Sequence, residues 1–251
     1  MKRVRKSQAE PQELADYRAR FANAPRPPGW NEFKRDPKRR EPVKARLRDD
    51  QRGLCAYCEN RLVPEDESVE HFVPKCSDRT RELDWFNLLL CCAGGERRLP
   101  EDIPDAGTRH DPNSPKTCGH AKLANPLPLL NPLEIPAFPR LFRFNSETGA
   151  IQPDEEGCRA ADVDANFAGQ TITVLGLHAG RLNRARLSVL DELLNQLAAD
   201  GTTPAFSSER AREIAAEQIP ATGTLPSFFT TVRWFLGAAA EAHLTALAFH
   251  G

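Results

Sequence analysis

Apolar positions recur at helical spacing toward both ends of the chain and lose that rhythm in the middle. In "ADVDANFAGQTITVLGLHAGRLNRARLSVLDELLNQLAA", Leu187, Leu190, Leu194 and Leu197 fall at helical spacing, which predicts an amphipathic helix with these leucines in the core. "SERAREIAAEQ" (208–218) predicts another helix. "FFTTVRWFLGAAAEAHLTALAF" (228–249) is the most apolar stretch, but Arg233, Glu241 and His243 interrupt it. It predicts a buried helix rather than a membrane span. Near the start, "SQAEPQELADYRARFANA" (7–24) reads as a helix, broken by the prolines of "PRPPGW" (25–30). "PVKARLRDDQRG" (42–53) reads as a second helix, with Pro42 near its first turn and Gly53 near its C-terminal cap.

Between 55 and 125 the elements shorten. "RLVPEDESVEHFVPK" (61–75) predicts two short strands around a turn at "PEDE". "ELDWFNLLLCC" (82–92) supplies Trp85 and Leu88–Leu90 as packing material. Residues 93–117 hold Gly, Pro, Asp and Asn without periodicity, so a long insertion loop is expected. Residues 126–160 read as irregular structure with short strands in "LFRFNSETGAIQP". The chain is therefore expected to be α+β in three units. They are a basic, helical and Pro-rich N-terminal arm (1–41), a short-element core (42–125), and a mixed, then mainly helical, C-terminal region (126–251).

Composition changes this picture in three places. With 27% charged and 40% hydrophobic residues among 251, the chain has ordinary globular character. Its net charge of −1 hides an asymmetry: residues 1–50 carry 15 Lys/Arg against 8 Asp/Glu. A basic segment suits a polyanionic partner, although a solvated tail has the same composition. "MKRVRKSQAEPQ" has the charge of an export signal but no apolar stretch behind it, so a cytoplasmic location is expected. Seven cysteines without such a signal favour metal ligation over a disulfide framework.

Cys55 and Cys58, in "CAYC", have the spacing that lets two thiolates reach one tetrahedral zinc ion. Redox motifs share that spacing, and two more ligands are required. Cys92 and Cys118 are the candidates, with Cys76 as rival and ordinary buried cysteines as the bland alternative. Between the two pairs stand Glu70-His71, in "VEHFVPK", and Asn87, in "DWFNLLLCC".

In this order and spacing the sequence resembles the HNH nuclease family, also called the ββα-metal or His-Me finger family. Cys92 follows Asn87 by five residues, and "CGHAK" (118–122) closes the pattern. Across roughly residues 42–197 the text is similar to a bacterial branch that includes the nuclease subunit of Septu-type anti-phage systems (PtuB), some encoded beside retrons. The resemblance implies a ββα-metal core with a structural zinc site on Cys55, Cys58, Cys92 and Cys118. His71 would be the general base and Asn87 would orient its loop. Glu70 and His120 would hold a catalytic Mg²⁺ or Mn²⁺, with His110 as rival to His120 because Gly119 separates His120 from Cys118. Lys75, Arg79, Arg81 and Lys122 would contact the backbone of a DNA or RNA substrate. The implied partners are an ABC/SMC-like ATPase (PtuA-like) and a retron reverse transcriptase with its nucleic acid, with no membrane. The competing reading is a catalytically silent, zinc-stabilised module that binds nucleic acid or the ATPase. The acid–His pair together with Asn87 favours the enzyme.

Overall fold

Two short antiparallel strands cross the centre of the molecule. In the computed structural model, which describes residues 1–25, 29–103, 109–123, 128–198 and 208–251, β1 (Glu67–His71) pairs with β2 (Leu88–Cys92). The register sets Glu70 opposite Leu89 and His71 opposite Leu88. Every residue of β2 is buried, because its unbroken apolar run has no polar face to turn outward. The turn expected at "PEDE" does not join a strand pair. Pro64–Asp66 forms a single 3-10 turn, and the residues before it contribute only an isolated bridge between Leu54 and Arg61. Asp66 is instead tied to the far end of β2, where its side chain accepts the Ala93 N–H at 3.1 Å.

Helices α1 (Gln12–Arg20), α2 (Trp30–Phe33) and α3 (Pro37–Asp50) precede this hairpin. The third begins five residues earlier than its sequence suggests, with Asp36 accepting the Lys38 N–H and Pro37 at the first helical position. Pro42 thus lies inside the helix. The Lys38 carbonyl it leaves unpaired belongs to an exposed residue, where water can satisfy it. At the helix C-terminus the buried Gln51 takes the place of a strand partner. Its Nε2 donates to Leu54 O (2.8 Å) and Leu90 O (2.7 Å), and its Oε1 accepts the Leu90 N–H (2.7 Å).

Residues 1–7 do not form a free arm. Val4 donates to Pro132 O at 2.7 Å, Lys6 Nζ to Trp85 O at 2.6 Å, and Trp85 Nε1 to Ser7 O at 3.0 Å. The first core cluster runs from Met1 and Val4 through Leu47, Leu88–Leu90 and Leu182 to Phe228, and so draws on all three expected units. The boundary expected at 125/126 lies outside the described residues.

After a small hairpin of β3 (Phe142–Phe144) and β4 (Ile151–Pro153) the chain is helical: α5 (Glu155–Ala160), α6 (Ala165–Val174), α7 (Gly180–Ala198), α8 (Ser208–Gln218), α9 (Phe229–Leu236) and α10 (Ala238–Ala246). Within α7, Leu190 and Leu193 are buried, whereas Leu194, expected in the core, is 51% exposed. The inner face runs through positions 182, 186, 190 and 193, and Leu194 lies about 100° further round. The stretch 228–249 is two helices rather than one, because Gly237 adopts φ 54° between them. Arg233 then pairs with Glu241 across that break at 2.7 Å. Among the described residues no helix is long and apolar enough to cross a membrane.

Replacing Gln51 by Leu keeps the volume but strands the Leu90 N–H and removes a donor from Leu54 O and Leu90 O, the latter keeping the Ala56 N–H at 3.1 Å. The expected cost is about 1–3 kcal/mol, read as a lower urea midpoint with an unchanged slope; an unchanged midpoint contradicts this role for Gln51.

Candidate functional site

Three separated segments bring four sulfurs together. Cys55 and Cys58 lie on the turn after α3, Cys92 ends β2, and Cys118 precedes the short helix α4 (Gly119–Lys122). The four Sγ atoms lie within 4.8 Å of one another, and all four residues are buried. Cys55–Cys118 is 3.8 Å, Cys58–Cys92 3.7 Å and Cys92–Cys118 3.7 Å. A tetrahedron with zinc–sulfur bonds of about 2.3 Å has edges of about 3.8 Å, so the sulfurs already stand at zinc-ligand separations. Four thiolates this close can ionise together only around a cation. The donor set therefore fits a closed zinc site. Cys76, the rival ligand, is exposed and outside the group.

The surroundings suit the negative charge of such a centre. The Cys92 N–H points at the Cys55 sulfur at 3.4 Å. Helix α7 contributes two buried arginines: Arg181 donates to Thr117 Oγ1, one residue before Cys118, and Arg186 donates to Leu177 O at 3.0 Å. Burial pulls the Arg186 pKa down to about 10, opposed by the attraction of Cys58, Glu59 and Cys118. It remains a cation at neutral pH. Neither arginine was identifiable as part of the site from sequence, where α7 reads only as leucine spacing.

His71 ends β1, the strand paired with the one that carries Cys92. Its Nε2 faces the Glu82 carbonyl at 2.9 Å. A carbonyl can only accept, so Nε2 carries the proton and the lone pair resides on Nδ1. Burial pushes the His71 pKa down to about 4, which keeps the ring neutral at physiological pH. The Trp30 ring packs edge-on against it, centroids 5.6 Å apart, and the Trp30 N–H donates to Glu82 Oε2 at 2.9 Å. A Cβ at Gly29 would collide with that same carboxylate, so the glycine permits the approach. In sequence, Gly29 and Trp30 stand out only as the end of the proline-broken stretch "PRPPGW". Nothing in "TREL" marks Glu82, which meets His71 through its backbone carbonyl and Trp30 through its carboxylate.

Asn87, fully buried, braces the loop between the strands. Its Oδ1 accepts the Val73 N–H at 2.7 Å, and its Nδ2 donates to Val73 O at 3.1 Å and Arg81 O at 3.0 Å. Glu82 follows Arg81 directly, so Asn87 also fixes the carbonyl that orients His71.

Glu70 points to the other end of the site. Its Oε1 accepts from Lys122 Nζ at 2.5 Å, and Lys122 also donates to His71 O at 2.7 Å. Lys122 is only 1% exposed; expected to contact nucleic acid, it instead spans Glu70 and His71 in the interior. A Cβ at Gly119 would lie 2.5 Å from Glu70 Oε2, so the residue separating His120 from Cys118 makes room for the longer acid. His120 is turned elsewhere, its Nδ1 2.5 Å from Glu96 Oε2. The structure thus does not join His120 to Glu70 in a cluster of three or more metal donors; among the described residues only the cysteines form one. His110 faces Gly95 O at 2.9 Å. Mg²⁺ commonly takes one or two carboxylates and completes its shell with water and phosphate, and Glu70 Oε2, with no hydrogen-bond donor among the described residues, fits that need. Of the other basic candidates, Arg79 is 69% exposed, Arg81 pairs with Asp84 at 3.0 Å, and Lys75 reaches Asn31 at 3.2 Å.

No family model matches the chain. A curated Escherichia coli protein, "Retron Ec83 putative HNH endonuclease", is 31% identical over 212 residues, which cover 76% of this chain and 79% of that protein. The chain belongs to the HNH endonuclease family. This HNH endonuclease therefore carries its buried four-cysteine cluster beside an acid–histidine strand, within a mixed structure of helices and two small sheets.

Two outcomes follow from the geometry. Purified Cys55→Ser should lose bound zinc and unfold at lower temperature, and full zinc stoichiometry in that variant contradicts the four-sulfur assignment. Asn87→Ala should lower kcat by about 100-fold through misplacement of His71 while leaving zinc content unchanged. A wild-type kcat would show that the loop needs no brace.

Proposed function

We propose that the protein hydrolyses phosphodiester bonds of nucleic acid with His71 as general base, in the ββα-metal manner of its family. The observation that supports this best is the Glu82 carbonyl on His71 Nε2 at 2.9 Å, which leaves Nδ1 free to take a proton from water. Asn87 is the positioning residue for that contact. Glu70 would hold a Mg²⁺ or Mn²⁺ ion, which when bound polarises the scissile phosphate and stabilises the departing 3′-oxygen. His120, whose Nδ1 is held by Glu96, would offer its Nε2 as the second ligand. Lys122 positions Glu70 and the end of β1. Lys75, Arg79 and Arg81, on the loop that carries Glu82, would contact the backbone of DNA or RNA. The zinc is structural, with no open position for chemistry.

The retron named in the relative and the resemblance to Septu-type nucleases support a role in bacterial anti-phage defence. The partners would be an ABC/SMC-like ATPase and a retron reverse transcriptase with its nucleic acid, in the cytoplasm. The expected arm (1–41), core (42–125) and C-terminal region (126–251) are proposed as functional divisions of the chain.

His71→Ala should abolish cleavage in Mg²⁺ or Mn²⁺ with zinc content and melting temperature retained; cleavage that survives contradicts His71 as the general base. The pH profile tests the same group. The base must be neutral, and a pKa held near 4 keeps it so above that value. The acid limb of kcat/KM should therefore fall near pH 4–5, and a limb near the ordinary histidine value of about 6.5 contradicts the buried, neutral ring.

A further inference from the structure

The first residues of the chain alternate between interior and solvent. Met1, Lys2, Val4 and Lys6 are buried, whereas Arg3 and Arg5 are exposed. The segment is pinned by the Val4–Pro132 hydrogen bond and by Lys6, whose ammonium lies 3.4 Å from the centroid of the Trp85 ring. Among the described residues neither Arg3 nor Arg5 pairs with a carboxylate, although all four arginines of α3 do. Two unpaired cations are thus held about 7 Å apart on an anchored extended backbone.

They line a groove of about 400 Å³ together with Gln8, Phe86, Leu133 and His250. Phe86 is 43% exposed and is held there by the turn that buries its neighbours Trp85 and Asn87, with its N–H on Asp84 Oδ1 at 3.0 Å. Arg5 and His250 also line an adjoining groove of about 560 Å³ with Arg48 and Arg52. A rigid exposed aromatic beside unpaired guanidinium groups matches the requirements of a single strand, whose bases stack on aromatic rings while its phosphates meet cations. A duplex hides its base faces and cannot use Phe86 in this way.

We propose that this groove is a subsite for single-stranded nucleic acid, with Arg3 and Arg5 on phosphates and Phe86 stacked on a base, one residue from Asn87. It rests on the endonuclease reading only in taking nucleic acid as the ligand.

The test is binding of fluorescein-labelled 20-nucleotide single strands and 20-base-pair duplexes to the His71→Ala protein across a salt series. Arg3→Glu/Arg5→Glu should weaken single-strand binding at least tenfold and flatten the log–log salt slope by about 1.4, two contacts at about 0.7 each. Phe86→Ala should weaken single-strand binding about tenfold and leave duplex binding unchanged. All three side chains are exposed, so melting temperatures should hold, and Arg3→Lys/Arg5→Lys should retain affinity. Unchanged affinity and slope in the charge-reversed protein overturn the subsite, as does an equal loss on duplex and single strand in Phe86→Ala. If the native protein cleaves while the charge-reversed one binds normally, the subsite falls and the endonuclease reading stands. If the arginines and Phe86 govern binding but the native protein does not cleave, the reading falls and the subsite stands.

Discussion

The four-sulfur cluster is the constraint on which the rest depends. It joins the turn after α3, the end of β2 and the start of α4, segments that are also tied by the Gln51–Leu90 and Thr117–Gly94 hydrogen bonds. A hairpin of two five-residue strands is marginal by itself. Tied at Cys92 to Cys55, Cys58 and Cys118, β2 becomes a fixed edge, and β1 inherits its position through the register that sets His71 opposite Leu88. Zinc bound at these thiolates contributes to folding itself, because the unfolded chain offers no preformed site. With zinc bound, the four thiolates would leave a net negative charge, and Arg186, which Cys58 and Cys118 attract, would offset it from helix α7.

From that frame outward, each contact fixes the next. Asn87 holds Val73 and Arg81, the chain then delivers the Glu82 carbonyl, and the carbonyl sets the protonated nitrogen of His71. Burial of the ring, with Trp30 packed edge-on against it, lowers its pKa and keeps it neutral. The opposite end works by occupancy: Gly119 leaves room for Glu70, and Lys122 fixes one of its oxygens. The four-cysteine cluster and the Glu70–His71 pair therefore share one pair of strands, the first at the end of β2 and the second at the end of β1.

Much of this was legible in the sequence, and the exceptions have a physical pattern. The cysteine spacing, the acid–His pair and Asn87 are chemistry-bearing residue types at short separations, so they stand out. So do helices α7 and α8, through their period. What escaped acts through the backbone or through fit. Glu82 offers a carbonyl that any residue possesses, and Gly29 and Gly119 matter for the atoms they lack. Gln51 imitates a strand with its side chain. The roles of Lys122 and His120 follow from the family resemblance, and in the structure a four-residue helix turns them to different partners, Glu70 and Glu96. Leu194 and the split at Gly237 are errors of phase and of one backbone angle, which hydrophobic pattern does not resolve.

The central claim is that a zinc-held frame presents His71 as a neutral base with its Nδ1 lone pair free. Nitrogen-15 NMR of the His71 imidazole in the zinc-bound protein at pH 6 reads this directly. The account predicts a protonated Nε2 and an unprotonated Nδ1, unchanged as the pH is lowered to 5. An imidazolium at pH 6, or a neutral ring protonated on Nδ1, would contradict it.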